Sequence, residues 1–287
     1  MMSSTVAQRL IQAAGALSRY SDSPRLDAEI LLGKVLGRTR SGLIAHGDES
    51  LGPASERAFS GLLEARCRGV PVAYLTGSRE FWSLSLAVTP AVLVPRPETE
   101  TLVELALGQL PVDRECTVLD LGTGSGAIAL AIARERPRAR VTGTDVSHEA
   151  LDIAAGNSAR LGLSDLVWRL GSWFEAVPGE RFDYIVANPP YIAADDPALM
   201  ALRAEPWLAL TPGRSGLEAF RAIIAAAPAH LRDGGRLGLE HGCRQGEDVA
   251  QMLAQHGFAE ISTHADRAGL PRVTLARHSS SSVHSSP

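Results

Sequence analysis

Cysteine is scarce in this chain of 287 residues: Cys67, Cys116 and Cys243 are the only three, far apart and in no paired spacing. That excludes a disulfide framework and a zinc ribbon, and it fits a reducing, cytoplasmic compartment. An excess of positive charge is also missing, because Lys and Arg total 28 against 32 for Asp and Glu, a formal net charge of -4. No overall basic field gathers nucleic acid non-specifically, which leaves room only for a local patch. No stretch is long and apolar enough to cross a bilayer, and Met1 to Gly15 lacks the basic, apolar and small-residue order of a secretion signal. What is there is 45% hydrophobic and 21% charged, the balance of a soluble globular protein. The length suits one large and one small domain.

Up to about Leu75 the apolar residues recur at helical spacing: Val6, Leu10, Ile11 and Leu17, then Leu26, Ile30, Leu31, Val35 and Leu36. Pro24 after Ser23 reads as a helix start, and Gly37 and Gly69 read as stops. A third helix is expected from about Pro53 to Arg68, with Leu62, Leu63 and Ala65 on its apolar side. This region, residues 1-77, is either a plain helical cap or a module that docks a partner protein. Residues 78-97 follow as a β-hairpin linker, with alternation from Phe81 to Val88 and a turn at Thr89-Pro90-Ala91. Phe81 and Trp82 read as hairpin packing. Arg96-Pro97-Glu98-Thr99-Glu100 then opens a helix, so Arg96 and Glu100 either line a site or serve the helix start.

Residues 98-277 alternate short apolar strands with helices, as an α/β doubly wound sheet does. Seven strands are expected, near Thr117 to Leu121, Arg140 to Thr144, Leu166 to Leu170, Tyr184 to Ala187, Arg236 to Glu240, Ala259 to His264 and Val273 to Ala276. The last two are separated only by a turn around Gly269-Leu270-Pro271, which makes the seventh antiparallel to the sixth. Residues 278-287 are mostly serine and read as a disordered tail.

Two motifs carry chemistry. In the first, the strand Val118-Leu119-Asp120-Leu121 enters Gly122-Thr123-Gly124-Ser125-Gly126, where glycines let the backbone approach a ligand, and a helix follows. Asp145 closes the next strand, 145 - 124 = 21 residues on, where a carboxylate can accept both hydroxyls of a ribose. Glycine at every second position is not the spacing of a dinucleotide fingerprint, so a nicotinamide cofactor is disfavoured. The second motif is Asn188-Pro189-Pro190-Tyr191 after the fourth strand of the sheet. Open sheets bind ligands at the carboxyl ends of their strands where the order reverses, so the two motifs are expected in one crevice. The Asn188 side-chain oxygen and the Pro189 carbonyl can accept the two hydrogens of a planar amino group and align its nitrogen with an activated methyl. Tyr191 can stack on that group. Glu240, His241 and Cys243 are adjacent at a strand end and do not form a metal set.

The glycine turn resembles motif I of the class I methyltransferases that use S-adenosyl-L-methionine, in which an acidic residue at the place of Asp120 lies near the methionine end. Asn188 to Tyr191 resembles the motif of methyltransferases acting on planar nitrogen, in adenine, guanine or glutamine. Gly171-Ser172-Trp173-Phe174, the hairpin before Arg96, Glu240-His241-Gly242 with Gln245-Gly246, and Arg272-Val273-Thr274 together resemble the PrmC or HemK family, the protein-(glutamine) methyltransferases of peptide-chain release factors. The resemblance runs from about Leu26 to Arg277. It implies a Rossmann-like, seven-stranded class I methyltransferase domain behind a small helical domain that holds the release factor. It also implies methylation of the glutamine in the factor's Gly-Gly-Gln loop. Gly122, Thr123, Gly124, Ser125 and Gly126 would cradle the cofactor, Asp145 would bind its ribose, and Trp173 would lie beside its adenine. Asn188 would touch cofactor and glutamine, with Pro189, Pro190 and Tyr191 completing the substrate pocket.

Two other readings use the same residues. A methyltransferase of an exocyclic amine in DNA or RNA would need a basic groove or a base-flipping region. An inactive module that only senses the cofactor would have no use for an intact Asn188-Pro189-Pro190-Tyr191.

Overall fold

A computed structural model of the chain describes residues 4–279. The chain divides into two compact units, Met1–Ser78 with Ala201–Ala204, and Arg79–Met200 with Glu205–Pro287.

The first unit is helical: α1 (Val6–Leu17), α2 (Pro24–Leu36), α3 (Arg40–Ala45), α4 (Pro53–Cys67) and α5 (Val72–Thr76). Thr5 starts α1 with a reciprocal cap, its hydroxyl accepting from Gln8 N–H while the Gln8 side chain accepts from Thr5 N–H. The stripe α1 buries is Val6, Leu10, Ala13 and Leu17. Ile11, expected on that stripe, is 66% exposed. It stands one residue, about 100°, around the helix from Leu10, and Ala13 takes the place on the apolar face instead. Leu26 is likewise an exposed member of the pattern on α2. Its neighbours Asp27 and Glu29 are buried instead, and each is paired: Arg66 Nε donates to Asp27 Oδ2 at 2.8 Å, and Arg25 and Arg40 donate to the two oxygens of Glu29 at 2.6 and 2.7 Å. These arginines, against burial, hold the Glu29 carboxyl below its ordinary range.

The second unit contains β1 (Ser78–Phe81), β2 (Leu84–Ala87), α6 (Glu100–Gln109), β3 (Cys116–Leu121), α7 (Ala127–Glu135), β4 (Ala139–Asp145), α8 (His148–Leu161), β5 (Val167–Leu170), β6 (Phe182–Ala187), α9 (Ala198–Ala201), α10 (Glu218–His230), β7 (Leu231–Glu240), α11 (Gly246–Gln255), β8 (Phe258–Ala265) and β9 (Pro271–His278). The hairpin of β1 and β2 turns at Trp82-Ser83, both at positive φ (50° and 58°), and not at Thr89-Pro90-Ala91 as expected. The latter residues form a separate turn, closed by Val92 N–H on the Thr89 carbonyl at 3.1 Å, by which the chain leaves β2. Phe81 is buried in the core, while Trp82 Nε1 donates to Glu135 Oε1 at 3.0 Å.

The other seven strands form one sheet in the order β5-β4-β3-β6-β7-β9-β8. The expected class I methyltransferase sheet is present. β3 pairs in parallel with β4 on one side and β6 on the other, and β9 runs antiparallel to both β7 and β8. Period-two alternation sends Val118 into a core with α6 and α7, and Leu119 and Leu121 into a second core with α10 and α11. Each such side chain, fully removed from water, contributes roughly 1.5–3 kcal/mol to holding helices on both faces. His278, expected in the serine-rich tail, closes β9; residues 280–287 of that tail lie outside the described residues.

Candidate active site

The order of the sheet reverses between β3 and β6, and both motifs leave the same end of these strands. After β3, Gly122, Gly124 and Gly126 all adopt positive φ (69°, 56° and 81°). A Cβ on Gly126 would stand 3.1 Å from both Leu130 and Trp168, so left-handed backbone and close packing coincide there. Thr123 N–H donates to the Thr144 carbonyl at 2.9 Å and Gly124 N–H to Asp145 Oδ2 at 2.9 Å, which ties the turn to the end of β4. The other oxygen of Asp145 accepts from Ser147 N–H at 2.9 Å. Burial raises the Asp145 pKa, and these backbone donors work against the rise.

Asp120 lies beneath the turn. Its Oδ2 accepts from the Thr123 hydroxyl at 2.6 Å and from Ala129 N–H at 3.2 Å. It is fully buried, and Oδ1 has no hydrogen-bond partner among the described residues. Burial pushes its pKa up to about 7. The residue braces the loop and the start of α7, and it does not line the cavity above.

That cavity has a volume of about 630 Å³ and a largely apolar wall, within the range of small-molecule sites. Gly122 to Ser125, Asp145 and Trp173 line one part of it, and Asn188 and Pro190 another. Trp173 follows β5 in a short 3-10 turn at φ 48°, and its ring faces Gly122 closely enough that a Cβ there would lie 3.6 Å from it. Gly126, Pro189 and Tyr191 are not on the cavity wall. Pro189 is buried. Tyr191 is partly buried, and its backbone carbonyl accepts from Gln245 Nε2 at 3.0 Å. Burial, with Glu240 adding to it, pushes the Tyr191 phenol up to about 12, so it remains protonated.

Gln245 also donates to the Gly216 carbonyl at 3.2 Å and accepts from Gly242 N–H at 2.9 Å, making it the latch that holds the loop after β6. His241 has protein partners at both ring nitrogens, the Thr274 hydroxyl at 2.9 Å and the Gly242 carbonyl at 3.0 Å.

Of the two residues left open at the start of α6, Arg96 lines the cavity and Glu100 does not. Glu100 instead accepts from Trp82 N–H at 3.0 Å. Arg96 is paired with buried Glu205, which also accepts from Val94 N–H at 3.1 Å. Glu205, Thr99 and Trp207 escaped the sequence reading. Glu205 meets its partners across 109 and 111 residues of chain, and no local pattern marks such a pair. Thr99 donates nothing recognisable as a motif, yet its hydroxyl accepts from Asn188 Nδ2 at 3.1 Å. Trp207 and Leu208 stand at the cavity with exposures of 56% and 71%, and a tryptophan directly after Pro206 is the one signal that could have marked them.

Residues 8–77 match the PrmC N-terminal domain family, and residues 99–204 match the methyltransferase small domain family. The release factor glutamine methyltransferase of Xylella fastidiosa (strain Temecula1) is 53% identical over 88% of this chain and 93% of its own length. That of Salmonella typhimurium is 47% identical over 90% of this chain and 94% of its own. Among solved structures, a T. thermophilus 16S rRNA N2 methyltransferase in complex with AdoMet and guanosine is 22% identical. It superimposes with a TM-score of 0.52 over 70% of this chain and 49% of its own, a likeness of fold.

Proposed function

The chain belongs to the release factor glutamine methyltransferase family, and from that membership we propose that it transfers a methyl group from S-adenosyl-L-methionine to a release factor. The acceptor is the side-chain amide nitrogen of the glutamine in the Gly-Gly-Gln loop of class 1 peptide-chain release factors. The observation that carries the reading is that Asn188 shares one cavity with the glycine turn and Asp145.

The residues present fit the cofactor. Gly122 and Gly124, both at positive φ, leave part of the floor without side chains, a partly exposed carboxylate ends the neighbouring strand, and an indole faces the floor. Gly122, Thr123, Gly124 and Ser125 would hold its amino-acid and sugar portions, with Gly126 setting the bend. Asp145 would accept the ribose hydroxyls, and Trp173 would lie beside the adenine. When bound, the cofactor supplies a methyl group already activated by a sulfonium.

What the chain must supply is alignment. An amide nitrogen is a poor nucleophile because its lone pair is delocalised into the carbonyl. Asn188 Oδ1 and the Pro189 carbonyl would accept its two hydrogens, orient it, and stabilise positive charge as that grows on the nitrogen. Pro190 lines the approach. Pro189 and Tyr191, behind the wall of the free protein, would complete the pocket once the glutamine enters. No strong general base is needed, because the methylated, cationic nitrogen sheds its proton readily. The helical unit would hold the body of the release factor, and the reaction would take place in the cytoplasm without a nucleic acid as direct substrate.

The deciding experiment offers labelled S-adenosyl-L-methionine to purified release factor, to its loop Gln→Ala variant, and to DNA and RNA. Label on the unmodified factor alone, mapped to the loop glutamine, supports the reading. Label on nucleic acid would replace it with methylation of an exocyclic amine.

A further inference from the structure

A carboxamide is nearly symmetric in shape, so a site that uses an asparagine as an acceptor must also decide which way round it stands. Turned by 180°, Asn188 would offer hydrogens to the incoming amide nitrogen in place of a lone pair. Three side chains from three elements converge on this choice. Asn188 directly follows β6, Thr99 lies in the 3-10 turn (Pro97–Thr99) before α6, and Glu240 ends β7, the strand beside β6. Asn188 Nδ2 donates to Thr99 Oγ1 at 3.1 Å. Thr99 is 4% exposed and Glu240 1%. The Glu240 carboxyl lies against the side chains of both Thr99 and Asn188, which hold its pKa down, and its Oε2 has no hydrogen-bond partner among the described residues. Asn188 and Thr99 reach the cavity, and Glu240 stands behind them.

We propose that Thr99 and Glu240 are a positioning pair that fixes the Asn188 carboxamide with its nitrogen inward and its oxygen toward the crevice. The proposal deepens the function above and rests on Asn188 being the acceptor for the substrate amide. A carboxylate has no proton to donate, so it sets the polarity of everything attached to it. The Thr99 hydroxyl meets Asn188 as an acceptor, which leaves its one hydrogen for the carboxylate beside it. Asn188 can answer both neighbours only with its NH2 group. The reversed amide would set its oxygen toward the buried Glu240 carboxylate, where the repulsion is less screened than in water.

Burial raises the Glu240 pKa to about 7 and Glu98 adds to the rise, while the hydrogen bonds from Thr99 and Asn188 and the charge of Arg272 oppose it. Tyr191 also feels this carboxyl and is neutral. At pH 8 the group is therefore the anion that the argument requires. One consequence concerns specificity: an oriented acceptor receives the NH2 of a glutamine and refuses a glutamate, whose ionised side chain has only acceptors.

The test compares Thr99→Val, Thr99→Ser and Glu240→Gln with Asn188→Ala at pH 8. Each is assayed for kcat and KM with release factor and for cofactor affinity. Thr99→Val and Glu240→Gln are expected to lower kcat about tenfold, as the loss of one charge-assisted hydrogen bond implies, with cofactor affinity nearly unchanged. Thr99→Ser, which keeps the hydroxyl, is expected to restore kcat. Full kcat in Thr99→Val and Glu240→Gln while Asn188→Ala is impaired would overturn the positioning pair and leave the function intact. Full kcat in Asn188→Ala as well would overturn the assignment of Asn188 itself. A loss in Thr99→Val that Thr99→Ser does not repair would also count against the pair. Glu240→Gln, of the same shape, keeps the question answerable if Thr99→Val folds poorly.

Discussion

Asn157 Nδ2 donates to the backbone carbonyl of Ser125 at 2.8 Å, binding the middle of α8 to the glycine turn. The same side chain, fully buried, exchanges two further hydrogen bonds with Ala87 at the end of β2, accepting from its N–H at 2.7 Å and donating to its carbonyl at 3.1 Å. One amide thus fastens the turn and the hairpin exit together.

Replacing it by Asn157→Ala strands backbone groups that water cannot reach. The expected cost is about 3 kcal/mol of stability, together with weaker cofactor binding because the turn loses its brace. Urea unfolding and calorimetric titration read the two effects separately. Unchanged cofactor affinity in a destabilised variant would mean that the turn holds its shape without Asn157.

Asp145→Ala removes the acceptor that fixes Gly124 and Ser147 along with the proposed ribose contact. The cofactor dissociation constant is expected to rise by about 10- to 100-fold, the worth of one or two hydrogen bonds to a charged group. Equal affinity in variant and parent would remove the ribose assignment.

Stability should depend on pH in a window set by Asp120 and Glu240, whose pKa values burial raises to about 7. Between their unfolded values near 4 and about pH 7, the folded protein holds protons that the unfolded chain has released. These two carboxyls therefore make stability fall as pH rises from 5 to 7 and level off above that, while His241, whose pKa burial lowers from 6.5, opposes the fall at the acid side of the window. Glu29 and Asp266, whose values are lowered, act only below about pH 4.5, where acid removes their contribution. Denaturant midpoints measured from pH 5 to 8 should show the decline, and Asp120→Asn should flatten it. An Asp120→Asn profile with the same slope as the parent's would mean that the Asp120 carboxyl is not raised.

In the helical unit, Arg66→Leu leaves Asp27 buried without its partner and should cost about 3 to 5 kcal/mol. Arg66→Leu combined with Asp27→Leu should recover most of that loss, since no unpaired charge remains. Thermal unfolding of the full chain provides the comparison. A double variant no better than the single one would show that the packing of the arginine stem, and not its charge, matters.

What the sequence made legible was local. Gly122 to Gly126 and Asp145 announce themselves because backbone conformation, strand end and spacing are written within 25 residues of chain. Strand positions were legible for the same reason, since alternation and apolar runs are short-range. Contacts with no local record were not. Thr99 meets Asn188 across 89 residues and Asn157 meets Ala87 across 70, and nothing near either residue names its partner. The hairpin turn was misplaced because Thr89-Pro90-Ala91 has ordinary turn chemistry, whereas Trp82-Ser83 forms the turn with two residues that rarely adopt positive φ. Ile11 was assigned to the wrong face because adjacent apolar residues compete for one helical stripe, and composition does not say which loses.

The position of β9 between β7 and β8 sets the order in which the molecule can be completed. A ribosome delivers β7 and β8 first, and neither has a partner on the side that β9 will fill until residues 271–278 emerge. During that interval the nascent chain carries two open strand edges, the features through which chains join one another in place of folding. A stop codon before Pro271 would make that interval permanent, so truncation ahead of the last strand is expected to yield aggregates and not a smaller working enzyme.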